Sequence, residues 1–236
     1  MLQLPNVVGH RGAAAYAPEN TLESFREAKR RGATWIELDV KISRDGVPII
    51  MHDESLKRTM GVDRLVIDTD RADLPAGVAT FAEAIACLGE LGLGCNVEIK
   101  PCPGREAATA RAAVETLRQC WPRHLPAPLL SSFKDASLAA ALEAAPEHAR
   151  ALLIGEQVPD WHARAQAVGA VGLNVNGKKL GALWAHDIKR AGYLLGVYTI
   201  NDPVVARALI AMGADCIITD APDVILAALA GPVPPP

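Results

Sequence analysis

Seven side chains stand out because each is charged or titratable where the surrounding run is apolar. His10 and Arg11 follow Val7-Val8-Gly9, Glu37 and Asp39 interrupt WIELDV, His52 ends VPIIMH, and Glu98 and Lys100 interrupt NVEIK. Side chains of an extended strand alternate between its faces, so Glu37 and Asp39 share one face while Ile36, Leu38 and Val40 take the other. The same parity aligns Glu98 with Lys100. A single carboxylate at a strand end is usually solvated or caps a helix. Two acids at i and i+2 on an otherwise apolar strand are different, because they would be buried like charges, costly unless a cation or base neutralises them. With Glu98 the set fits one hard divalent cation, and all-oxygen ligation favours Mg²⁺ or Ca²⁺ over Zn²⁺.

Of the six histidines, His124, His148, His162 and His186 lie in helical or loop stretches with ordinary polar neighbours and are expected at the surface. His10 and His52 each end an apolar, strand-like run. Cleavage of a phosphodiester needs a base for the nucleophile and an acid for the leaving oxygen, and two imidazoles flanking a phosphate meet that need near neutral pH. Arg11 would hold phosphate oxygens in a planar fork and Lys100 as a point charge. Phosphate, metal and two titratable groups together define a reaction class; none alone does.

These residues need a scaffold that brings strand ends together. Short β-rich runs, expected at Asn6–His10, Trp35–Val40, Cys95–Lys100, Leu129–Phe133, Ala151–Gly155, Val171–Val175, Leu194–Ile200 and Cys216–Thr219, alternate with helical patterns. The helices are expected at Thr21–Arg31, Thr80–Leu91, Glu106–Cys120, Ala136–Ala145, Asp160–Val168, Leu180–Ala191, Pro203–Met212 and Pro222–Leu229. Asn20 or Thr21 can cap the first helix, with Glu23 following and Gly32 as its stop. Asp202-Pro203 is a capping carboxylate followed by a first-turn proline. Eight strand–helix units point to an α/β fold of the TIM (β/α)8 type, whose catalytic groups sit at the C-terminal strand ends. A doubly wound sheet alternates in the same way, and the count favours the barrel. Val47–His52 reads as an extra strand followed by a polar, Asp-rich excursion, an insertion after the second barrel strand at about 53–80. The expectation is one domain over 1–230, with a frayed tail at 231–236.

Composition narrows the partners. Half of the 236 residues are hydrophobic and 22% are charged, a globular balance. A net charge of −3 and 4% aromatics give neither the basic face nor the stacking platform that nucleic acid needs. The five cysteines form no CxxC pair, which reads as free thiols in a reducing compartment. MLQLPNVVGHRG lacks a basic segment followed by an apolar one, and the apolar stretches near the C-terminus are too short and too interrupted to span a bilayer. The expected setting is the cytosol, with a small-molecule partner. The oligomeric state stays open, a homodimer among the options.

HRG at 10–12, PENT at 18–21, ELD at 37–39, HD at 52–53, EIK at 98–100 and SSF at 131–133 together resemble the glycerophosphodiester phosphodiesterases, in particular their short cytosolic bacterial branch. RT at 58–59, VYTIN at 197–201 and GADCIITDAP at 213–222 extend the resemblance from Val7 to about Leu226. It implies a TIM-type barrel that hydrolyses glycerophosphodiesters to sn-glycerol 3-phosphate and an alcohol. By motif position it implies Glu37, Asp39 and Glu98 as ligands of Mg²⁺ or Ca²⁺, His10 and His52 as the acid/base pair, and Arg11 and Lys100 on the phosphate. Attack by the glycerol 2-hydroxyl, through a cyclic phosphate, is the implied route. Two departures bear on specificity. The segment before Phe81 is reduced to DLPAGVATF, which leaves the leaving-group preference open. Tyr198 stands where many relatives carry Trp, and either packs on the glycerol moiety or belongs to the core. Other readings of the same residues are a lyase action on lysophospholipids that stops at the cyclic phosphate, and a non-catalytic barrel that binds phosphodiesters.

Overall fold

The computed structural model describes residues 2–231. Eight parallel strands close on themselves: β1 (Val7–Gly9), β2 (Trp35–Ile42), β4 (Gly94–Ile99), β5 (Leu129–Ser132), β6 (Ala149–Ile154), β7 (Gly172–Asn176), β8 (Leu194–Tyr198) and β9 (Cys216–Thr219). Closure comes from β1, which pairs with both β2 and β9. The ninth strand, β3 (Pro48–Ile50), lies antiparallel to β2 at its C-terminal end. The helices are α1 (Leu22–Arg30), α2 (Lys57–Met60), α3 (Phe81–Leu91), α4 (Glu106–Cys120), α5 (Asp135–Ala144), α6 (Trp161–Ala167), α7 (Ala182–Arg190), α8 (Pro203–Ala211) and α9 (Pro222–Ala230). The (β/α)8 barrel is therefore the fold, and the doubly wound alternative is excluded by closure.

Local chemistry starts the helices where expected, with one refinement. Thr21 caps α1 and Ser24 returns the bond, whereas Glu23 takes no part; the same reciprocal box joins Thr80 to Glu83 at α3. Asp202 accepts from the Val204 and Val205 amides at 2.7 and 3.2 Å, ahead of Pro203. Two apolar shells follow from strand parity. Outward residues such as Ile36, Leu38, Val97 and Leu130 pack under the helices. Inward residues Val8, Trp35, Leu129, Ala151, Cys216 and Ile218 fill the barrel interior. Trp35 fits because Gly94 beside it has no side chain, since a Cβ there would lie 2.3 Å from the indole ring. The interior becomes polar toward the C-terminal strand ends, with the register pairs Glu37–Asn96, Asp39–Glu98 and Glu98–Ser131 on neighbouring strands.

The excursion after β2 is less polar in three dimensions than in sequence. Ile49, Met51, Leu56, Val66, Leu74 and Val78 form their own buried cluster, which anchors α2 and two short 3-10 turns. Six expected strands also end earlier, leaving His10, His52, Lys100, Phe133, Gly155, Thr199 and Ile200 in the loops above the barrel. Among the four background histidines, His124, His162 and His186 are exposed; His148 is half-buried, and burial lowers its pKa. Of the expected frayed tail only Gly231 is within the described residues. No helix among them is long and apolar enough to cross a membrane.

Candidate active site

The turn after β1 is shaped by its backbone. Arg11 adopts φ +50° and Asn20 φ +56°, a left-handed conformation that non-glycine residues rarely occupy. Both are held by neighbours: the Arg11 carbonyl accepts from the Asn20 amide at 3.1 Å and the Ser24 hydroxyl at 2.8 Å. Gly12, at φ +88°, must be glycine on a second count, because a Cβ would sit 2.4 Å from Ser24 Oγ. This turn points the Arg11 amide at Glu37 Oε2, 3.0 Å away. Its guanidinium lies 3.3 Å from Asp39 and pairs with Glu19 at 2.7 Å. Burial works against the Arg11 charge, but Asp39, Glu37 and Glu19 together hold its pKa above the usual value. Asn20 grips Asp39 from both ends, donating to Oδ2 at 2.8 Å and accepting from the amide at 3.2 Å.

Glu37, Asp39 and Glu98 converge, each offering an oxygen within 4.8 Å of the others. They are 3%, 1% and 7% exposed, and Glu37 Oε1 and Asp39 Oδ1 have no hydrogen-bond partner. Burial, then Asp39 and Glu98, push the Glu37 pKa well above the usual carboxylate range. Burial and Asp39 push Glu98 up to about 7, although Lys100 Nζ sits 2.6 Å from its Oε1. Asp39 goes the other way: burial opposes its charge, but Lys100, Arg11 and His52 prevail and hold its pKa down. Three buried acids with two orphaned oxygens are short of positive charge even with Arg11 and Lys100 beside them. A hard divalent cation fits that deficit and that donor set.

The two imidazoles flank this cluster. His10 donates through Nδ1 to Asp220 Oδ1 at 2.7 Å and turns Nε2 toward Glu37 Oε2, 4.0 Å away. Asn201 in turn donates to Asp220 Oδ2 at 2.6 Å. His52 pairs through Nδ1 with Asp53 Oδ1 at 2.6 Å, and burial lowers its pKa despite the nearby Asp39. Arg58 then bridges Asp53 and Glu19, whose Oε1 also binds Arg11. His52, Glu98 and Lys100 open onto a cleft of about 560 Å³ shared with Lys41, Glu54, Phe133 and Lys134.

All seven residues singled out from the sequence thus meet at the C-terminal strand ends. Tyr198 is near them but engaged with protein: its hydroxyl donates to the Ile154 carbonyl at 3.2 Å, and its ring meets Phe133 edge-on. Sequence reasoning missed Asp220, Asp53, Asn20, Glu19 and Arg58 as site residues. Each lies in a motif of the resemblance, but which atom it holds depends on contacts between distant segments. It also missed Lys41, the next inward residue of β2 after Glu37 and Asp39. Lys41 is fully buried and donates to the Lys100 carbonyl at 2.9 Å.

Fold and site together define a (β/α)8-barrel protein with an acid cluster suited to a cation, bracketed by two oriented histidines at the catalytic face. The chain belongs to the glycerophosphoryl diester phosphodiesterase family, whose model matches residues 10–224. It is 37% identical to a phosphodiesterase from Oleispira antarctica solved with sn-glycerol-3-phosphate, at a TM-score of 0.93 and with 97% of this chain and 98% of that one covered. A glycerophosphodiester phosphodiesterase from Caldanaerobacter subterraneus is 28% identical, over 93% of this chain and 96% of its own. The Thermotoga maritima enzyme of the same name is 27% identical with a TM-score of 0.78, covering 96% of this chain and 99% of that one.

Proposed function

We propose that this protein hydrolyses small glycerophosphodiesters to sn-glycerol 3-phosphate and an alcohol, with Glu37, Asp39 and Glu98 holding one Mg²⁺ or Ca²⁺. The observation that carries the reading is the acid cluster with orphaned oxygens lying between two histidines whose Nδ1 atoms are both tied to carboxylates. A bound cation would neutralise the acids and the phosphate and make a nearby hydroxyl more acidic. Arg11 and Lys100 are suited to the phosphate oxygens, since both charged heads lie beside Asp39, at 3.3 and 3.5 Å, and Lys100 also lines the cleft. His10, with Nε2 toward the acid cluster, is placed to take the proton of the glycerol 2-hydroxyl. His52, on the cleft wall, is placed to protonate the departing alcohol oxygen. The 2-oxygen then forms a bond to phosphorus as the bond to the alcohol breaks, giving a cyclic phosphate. Water opens the ring with the two histidines exchanging roles. Tyr198 is assigned a place beside the glycerol moiety, where its ring stands with Phe133.

In this reading residues 1–230 act as one domain, with about 53–80 as the insertion that follows His52, and action in the cytosol agrees with five free cysteines. The test is a coupled assay of sn-glycerol 3-phosphate release, with and without chelator. Release is expected to stop with chelator and to return with Mg²⁺ or Ca²⁺. Activity that survives chelation sinks the metal role, and activity intact in His10→Ala or His52→Ala sinks the acid/base assignment.

A further inference from the structure

The chemistry above leaves one buried cation without a task. Lys41 is 1% exposed, and its Nζ has a single acceptor, the Lys100 carbonyl, for three N–H donors. The residue lies in the wall of the cleft next to His52, on the side where the alcohol would depart. Lys134 lies in the same wall, exposed and without an ion-pair partner among the described residues. The acids around them are mostly engaged. Asp53 is bound by His52 and Arg58, and Glu98 belongs to the cation cluster. Only Glu54, exposed on the same wall, is a free carboxylate there.

The opposite preference, for a quaternary ammonium, would need an aromatic face. Phe133 offers one, 37% exposed, but Lys100 Nζ already stands 5.3 Å from its ring centroid. A second cation on that ring would meet like charge. A carboxylate has the complementary chemistry: it can accept from the unsatisfied Lys41 donors and from Lys134, and an ammonium beside it could face Glu54.

We propose that this cleft selects a leaving alcohol that carries a carboxylate over one that is only cationic, with Lys41 and Lys134 as the specificity-determining residues. The inference rests on the phosphodiesterase reading above. A matched substrate pair isolates it, because glycerophosphoserine is glycerophosphoethanolamine with a carboxylate added. The unsubstituted protein is expected to favour the serine diester in kcat/KM by about tenfold, the scale of one charge-assisted contact. Lys41→Met should bring that ratio near one, and since both diesters are measured on the same variant, a general loss of activity cancels. Lys134→Glu, at an exposed position that tolerates change, should reverse the preference and serves if Lys41→Met does not fold. A ratio at or below one in the unsubstituted protein overturns the proposal, and so does a ratio that survives both substitutions. Failure to turn over either diester, or glycerophosphoglycerol as a neutral control, would bring down the phosphodiesterase reading and this inference with it.

Discussion

His10 illustrates how a histidine becomes usable only when its second nitrogen is settled. Asp220 is held ionised: burial opposes its charge, but the hydrogen bonds from His10 and Asn201 more than offset it. An ionised acceptor at Nδ1 fixes the proton there and leaves Nε2 free to face the reacting groups. Asp220→Ala should therefore lower kcat by roughly 10- to 100-fold, as loss of a ligand-orienting partner commonly does, with KM little changed. Steady-state kinetics beside circular dichroism checks this, and an unchanged kcat would refute the orienting role. Asp220 carries the same mark as the seven residues read from the sequence, a charged or titratable group where an apolar run ends. What the sequence does not contain is its pairing, because the two residues lie 210 positions apart and meet only when β1 and β9 close the barrel. Lys41 was closer to legible, since the parity that groups Glu37 with Asp39 extends to it without further information.

Elements set the distance between the two histidines. His10 follows β1 and His52 follows β3, and no strand pairing joins those two loops. The tie is a chain of ions from Arg11 through Glu19 and Arg58 to Asp53. Arg58 is 49% exposed, so its pairs add little to stability, within about 1 kcal/mol. Arg58→Ala is expected to shift the denaturation midpoint slightly while lowering kcat several-fold, and equal losses in both, or none in kcat, would contradict a positioning role. Packing on the opposite end of the barrel gives the reverse pattern. Gly94→Ala forces a Cβ onto Trp35 and should cost about 1–3 kcal/mol in chemical denaturation, with activity per folded molecule preserved. The strand–helix alternation and most caps were readable because they depend on local chemistry. The insertion read as polar because its apolar residues are scattered among charges, and only their meeting over 49–78 makes a cluster.

At the scale of the molecule, the acid cluster concentrates like charge that a cation would balance. Glu98 has its pKa raised from 4.5 to about 7 by folding, first through burial and then through Asp39. A raised carboxyl pKa means the folded state binds more protons than the unfolded one between those values, so stability falls as pH rises through that window. The loss at Glu98 is on the order of 3 kcal/mol, and Glu37 acts in the same direction. His52 opposes it, since its lowered pKa adds stability as pH rises toward 6.5. The comparison that isolates the acid is therefore metal-free protein against Glu98→Gln. Between pH 5 and 8 the melting temperature of the unsubstituted protein should decline more steeply than that of the variant. Added Mg²⁺ or Ca²⁺ should raise it more at pH 8 than at pH 5, because the ligands must lose their protons to bind, and should raise the variant much less. Parallel pH curves for the two proteins, with no response to either cation at pH 8, would show that the three carboxylates are held by Arg11 and Lys100 alone.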